Sequence, residues 1–100
     1  MFCNFLDAKV VAPPKASAIK GITISLKCEV TEEEFLGWFD PQGNKLGSSG
    51  RRKVESTGSD HVLVIIDVDP AKDGGKYECH GNISNATVEV EIVCKYGEYI

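Results

Sequence analysis

The chain has 100 residues, with four cysteines, one tryptophan and a formal net charge of −4 at pH 7. That length is one domain, expected to span 1–100 with its core from about 6 to 95. The acidic balance argues against nucleic acid or an anionic membrane surface as partner, and no apolar run approaches the ~18 residues of a transmembrane helix.

In chain order, Met1-Phe2-Cys3-Asn4-Phe5 has no basic n-region, apolar stretch or small-residue cleavage site. That fits either a domain cut from a longer secreted chain or an intracellular one that needs no signal. Leu6 to Ala12 reads as a strand, broken by Pro13-Pro14, which cannot donate to a ladder and belong at an edge. Ser17 to Lys20 resumes it, and Gly21 marks a turn. Ile22, Ile24, Leu26 and Cys28 then alternate with Thr23, Ser25, Lys27 and Glu29, the period of a half-buried strand. Thr31-Glu32-Glu33-Glu34 lacks the ligand spacing of a calcium loop and reads as a solvated connector. The next strand is expected to point Leu36 and Trp38 inward and Phe39 outward. Asp40-Pro41-Gln42-Gly43-Asn44 is a turn cluster, followed by a short strand at Lys45-Leu46. Gly47-Ser48-Ser49-Gly50 leaves no room for a further strand before Arg51–Thr57. The cluster Arg51-Arg52-Lys53 reads as a solvated strand start. Gly58-Ser59 turns into His61–Ile66, which is apolar on both parities, so periodicity alone leaves its inward face open. Asp69 to Lys72 is a helical turn, Gly75 to Gly81 a strand, and Asn82–Asn85 the next turn. Val88, Val90 and Ile92 alternate with Glu89 and Glu91 in a last strand from Ala86 to Cys94.

Cys28 and Cys79 stand in strand-like stretches 51 residues apart, with Trp38 soon after the first. Asp73-Gly74-Gly75-Lys76-Tyr77-Glu78-Cys79 adds a tyrosine two residues before the second cysteine. In this joint spacing the chain resembles the immunoglobulin superfamily, from about Leu6 to Ile92. The resemblance implies an all-β, immunoglobulin-like sandwich of two antiparallel sheets. It also implies a Cys28–Cys79 disulfide between the sheets, Trp38 packed beside it, and Tyr77 closing a tyrosine corner. Asp73 is implied to pair with an arginine at the start of the fourth strand of the first sheet, Arg51 or Arg52. The family pattern Leu-x-Ile-x-x-Val matches Leu63, Ile65 and Val68, which places those inward and leaves Val62, Val64 and Ile66 outside.

The proline break and the short span between Leu46 and Arg51 are similar to the I-set class, whose lettered strands run A-B-E-D in one sheet and A′-G-F-C-C′ in the other. Trp38–Leu46 and the break at Val10-Val11-Ala12-Pro13 further resemble the first immunoglobulin domain of neural cell adhesion molecules. In such a sandwich the first strand starts at one pole and the last ends at the other. At ~3.3 Å per residue, the last strand carries Cys94 far beyond the ~7 Å span of a disulfide to Cys3. Both are expected to be free thiols at the domain fringes, or else bonded to another domain or chain.

No catalytic constellation is visible. His61 and His80 fall on opposite sheets, and neither has a nearby serine or cysteine in a strained turn. Their spacing is not that of zinc ligands, and 47–50 lacks the Lys-Ser/Thr ending of a phosphate loop. Both histidines read as solvated strand positions; no enzyme activity, cofactor or metal is expected. Asn82-Ile83-Ser84 and Asn85-Ala86-Thr87 have the form of glycosylation acceptors, Asn82 being nearer the turn tip. Together with the core cysteine pair, they favour an oxidising compartment. The expected role is an extracellular cell-adhesion or recognition module in a longer membrane-anchored chain. It would bind another immunoglobulin-type protein, or itself, through Val62, Val64 and Ile66. The alternative is a structural I-set domain of an intracellular muscle filament protein, acting as an elastic or docking unit, where the same cysteines can stay reduced.

Overall fold

Alternating apolar residues separated by glycine and proline turns build strands throughout; the computed structural model describes residues 10–48 and 50–94. The strands are β1 (Val10–Val11), β2 (Lys15–Ile19), β3 (Ile24–Val30), β4 (Phe35–Phe39), β5 (Arg52–Thr57), β6 (Asp60–Ile65), β7 (Gly75–Gly81) and β8 (Asn85–Val93), with a helical turn α1 (Pro70–Asp73). One sheet has the order β1-β3-β6-β5 and the other β2-β8-β7-β4. All pairings are antiparallel except β2 with β8. That exception follows from Pro13-Pro14. The chain leaves the first sheet there and continues in the same direction beside β8, where Pro14 O accepts from Glu89 N at 2.9 Å.

The inward residues of both sheets meet in one core. Leu26, Cys28, Leu63 and Ile65 come from the first sheet; Trp38, Tyr77, Cys79 and Val88 come from the second, and all are buried. A disulfide joins Cys28 to Cys79 across the core, with Cα atoms 6.5 Å apart. Trp38 lies beside it as the cross-strand partner of Cys79, and its indole N–H donates to His61 O at 3.1 Å.

Three expectations change. Leu36 faces out and is 42% exposed, because the β4–β7 register slips between Phe35 and Gly37. This bulge turns Phe35 toward the core in its place. It is made possible by Gly37 at φ 154°, where a Cβ would meet the Lys45 stem at 2.8 Å. Ile22 lies ahead of β3 and is 46% exposed, so the inward alternation starts at Ile24. Lys45-Leu46 forms an isolated bridge from Lys45 to Phe39 instead of a strand. Of the first expected strand, Val10 and Val11 are described; Leu6 to Lys9, like Cys3, lie outside the described residues.

Candidate partner-binding face

Strand β6 is apolar on both parities, and its pairing decides which side is which. Leu63 and Ile65 are fully buried, while Val62 and Val64 are half-buried on the outside of the first sheet. Val62 sits between Lys27 of β3 and Glu55 of β5, and Val64 between Ser25 and Lys53. Long charged side chains beside a valine cover part of it with their alkyl stems. Ile66, just past β6, is also half-buried, and its N–H donates to Arg51 O at 2.8 Å.

The same parity carries His61 inward, where a solvated position was expected. Its ring stacks on Phe35 at 3.8 Å between centroids, and Nδ1 lies 2.7 Å from Ser56 Oγ. Burial holds its pKa below the usual histidine value, with Asp60 pulling the other way. The inward side of Leu63 and Ile65 already implied this position. His80 is half-buried on the outer face of the second sheet, 2.7 Å from Glu78 Oε1 and tilted against Phe39 at 4.3 Å.

One pole of the sandwich is closed by charge. Asp73 is fully buried and accepts from Arg51 at 2.8 and 3.1 Å, from Arg52 at 2.9 Å, and from Asp69 N at 2.8 Å. Both arginines therefore take the pairing, where one or the other was expected, and the carboxylate lies inside the fold. Burial by itself would raise the Asp73 pKa; the hydrogen bonds from Arg51, Arg52 and Asp69 outweigh it and hold it below 3.8. Tyr77 donates its hydroxyl to Asp73 O at 2.8 Å, and burial pushes its pKa up to about 12. Arg52 also approaches Asp40 at 3.7 Å, whose carboxylate holds the turn after β4 by accepting from Gln42 N at 3.0 Å and Asn44 N at 2.8 Å.

At the opposite pole, the acidic connector is a clasp where a solvated loop was expected. Glu33 accepts from Ile83 N at 2.8 Å, Ser84 N at 3.0 Å and Ser84 Oγ at 2.7 Å. Glu34 N donates to Asn82 Oδ1 at 3.0 Å, and Asn82 N donates to Glu34 O at 2.9 Å. Gly81 leaves the room for this, since a Cβ there would run into the Glu33 carboxylate. The three neighbouring glutamates gave no sign of the contact, because its partner lies about fifty positions away. Asn82 and Asn85 are both exposed, at the turn between β7 and β8 and at the start of β8. Cys94 is an exposed free thiol. Among the described residues no group of three His, Cys, Asp or Glu is placed to hold a metal ion.

Two four-stranded sheets bridged by a disulfide beside a buried tryptophan, with a tyrosine corner entering the cysteine strand, define an immunoglobulin-like β-sandwich. The immunoglobulin I-set domain family matches residues 9–95, and the chain belongs to that family. It is 32% identical over 71 residues to the cell adhesion molecule DSCAM of Rattus norvegicus, a match that covers 69% of this chain and 3% of that protein. The chain thus spans a small fraction of the length of its curated relatives. Among solved structures, the first Ig domain of the mouse polymeric immunoglobulin receptor superposes with a TM-score of 0.74 at 18% identity, covering 91% of this chain and 99% of that one. The I9-I11 tandem from titin superposes with a TM-score of 0.72 at 18% identity, over 86% of this chain and 34% of that one. At those identities the superpositions speak to fold alone.

Proposed function

We propose that the domain is an extracellular recognition module of a longer cell-surface adhesion protein, and that it contacts another immunoglobulin-type domain through the outer face of β6. The observation that carries this reading is the placement of Val62 and Val64 outward at the centre of the first sheet, with Lys27 and Glu55 on either side of Val62 and Ser25 and Lys53 on either side of Val64. An apolar centre with a polar rim is the anatomy of a protein-recognition patch. The similarity to a cell adhesion molecule supports the same direction. Asn82 and Asn85 belong to the second sheet and its turn, so sugars there leave this face uncovered.

Replacing Val64 with Lys tests it. The variant should keep the parent's melting temperature, since the position faces solvent. Cells displaying the parent domain on a tether should adhere to one another or to cells displaying immunoglobulin-type proteins, and the variant should lose that adhesion. Unchanged adhesion by the folded variant would place the contact elsewhere.

A further inference from the structure

The outer face of the first sheet has a charge pattern as well as an apolar centre. Ser25, Val64 and Lys53 form one row across β3, β6 and β5, and Lys27, Val62 and Glu55 form the next. Strands lie ~4.8 Å apart and successive outward residues about 6.7 Å apart, so Lys53 and Glu55 are neighbours along the β5 edge. Among the described residues, none of Lys27, Lys53 and Glu55 takes part in an ion pair. These charges are therefore available to a partner.

Resting on the function proposed above, we infer that the partner is a second copy of this chain. The two copies dock face to face with antiparallel strands. Their two-fold axis lies in the interface, across the strands and midway between the two rows. This operation sets β5 on β5 and β6 on β6 while exchanging the rows. Val62 then meets Val64 of the second copy, and Lys53 meets Glu55 of the second copy, each contact occurring twice. Lys27 meets Ser25, and Asp60 at the end of β6 meets Ile66.

The other two-fold arrangements that lay valine on valine are worse electrostatically. An axis through the Val62 row sets Lys27 on Lys27 and Glu55 on Glu55. An axis through the Val64 row sets Lys53 on Lys53. An axis along β6 matches Lys27 with Glu55 but puts every β6 residue on itself, including Asp60 on Asp60. Like charges facing each other across an interface select against the wrong register. The antiparallel register between the rows is the one of these four that opposes no charge with its like. Its face is small beside the roughly 20–30 residues a side of a stable complex, so the pair is transient unless many copies share a surface.

Sedimentation equilibrium on the full, disulfide-bonded chain reads this directly. The parent should show a reversible monomer–dimer equilibrium. Lys53→Glu and Glu55→Lys should each weaken it about tenfold or more, because each change is repeated by symmetry. An equimolar mixture of the two variants should return to within about threefold of the parent, since in the mixed pair every glutamate at one of these positions again faces a lysine at the other. Lys27→Glu, opposite Ser25, should also stay within about threefold of the parent. All three positions are exposed, and unchanged melting temperatures confirm that the variants are folded. A loss in Lys27→Glu as large as in Lys53→Glu, no recovery on mixing, or a parent that stays monomeric throughout overturns the arrangement. If Val64→Lys dissociates the pair while Lys53→Glu and Glu55→Lys behave as the parent, the face stands and this pairing fails. Parent-like dimerisation of folded Val64→Lys removes the face itself.

Discussion

Asp73 concentrates more structural consequence than any other polar side chain described. Its carboxylate holds two guanidinium groups and the N–H of Asp69, while its carbonyl receives the Tyr77 hydroxyl. Asp73→Ala should destabilise the fold by about 3 kcal/mol in denaturant titration. That is the low end for breaking a buried ion pair, because Arg51 is 36% exposed and both arginines can turn to water. With its folded pKa below 3.8, Asp73 stabilises the protein at higher pH and loses that contribution as the pH falls beneath this value. His61 acts in a milder range. Its folded pKa is depressed below 6.5, so on acidification from neutral the unfolded chain takes up the proton first. Melting temperature should therefore drop as the pH falls through 6.5, and His61→Asn should flatten that slope even though its own melting point is lower.

Between elements, the contact of the β3–β4 connector with the β7–β8 turn joins the Glu34–Asn82 hydrogen bonds to one carboxylate, Glu33, and one missing side chain, at Gly81. Glu33→Ala leaves two N–H groups without their acceptor and should cost about 1–3 kcal/mol. Gly81→Ala should cost a similar amount by driving Glu33 away. Hydrogen exchange at Ile83 and Ser84 should accelerate in both variants, and the double variant should lose less than the sum because both act on one contact. Element-level reading succeeds where a strand keeps one register. Leu26 and Cys28 were legible from simple alternation, and Leu63 with Ile65 from the family pattern. It failed at Leu36, because a bulge adds a residue and reverses parity, and the only local sign was Gly37. For the candidate face, the outward valines were legible. The charge register around them was not, since it depends on how β3 and β5 align with β6.

At the scale of the whole molecule, the cross-core disulfide and the two exposed acceptor asparagines bear on one question, the compartment in which the chain works. Protein expressed through a secretory pathway should have no free thiol at Cys28 or Cys79, and should carry sugar on at least one of Asn82 and Asn85. Asn82 is expected to fill first. Its amide oxygen is held by Glu34 N–H, and its amide nitrogen stays open at the turn. Intact-mass measurement before and after enzymatic deglycosylation reads both features together. A reduced core pair with both asparagines bare would instead point to the muscle-filament alternative.

The parallel pairing of β2 with β8 also determines how the domain bears tension. Chain enters β2 at Lys15 and leaves β8 at Val93, and the ladder between them runs from Lys15 opposite Glu89 to Ile19 opposite Val93. Once the two-residue pairing of β1 with β3 has given way, pulling the flanking chain apart draws these two strands past each other along their length. The hydrogen bonds between them are then loaded in shear and must give way nearly together, whereas a hairpin pulled at its open end unzips one bond at a time. Resistance to such a pull is set by the rate of crossing that barrier and not by equilibrium stability. The β2–β8 edge belongs to the sheet opposite the proposed docking face, so a load carried along the chain need not pass through the bond between neighbours.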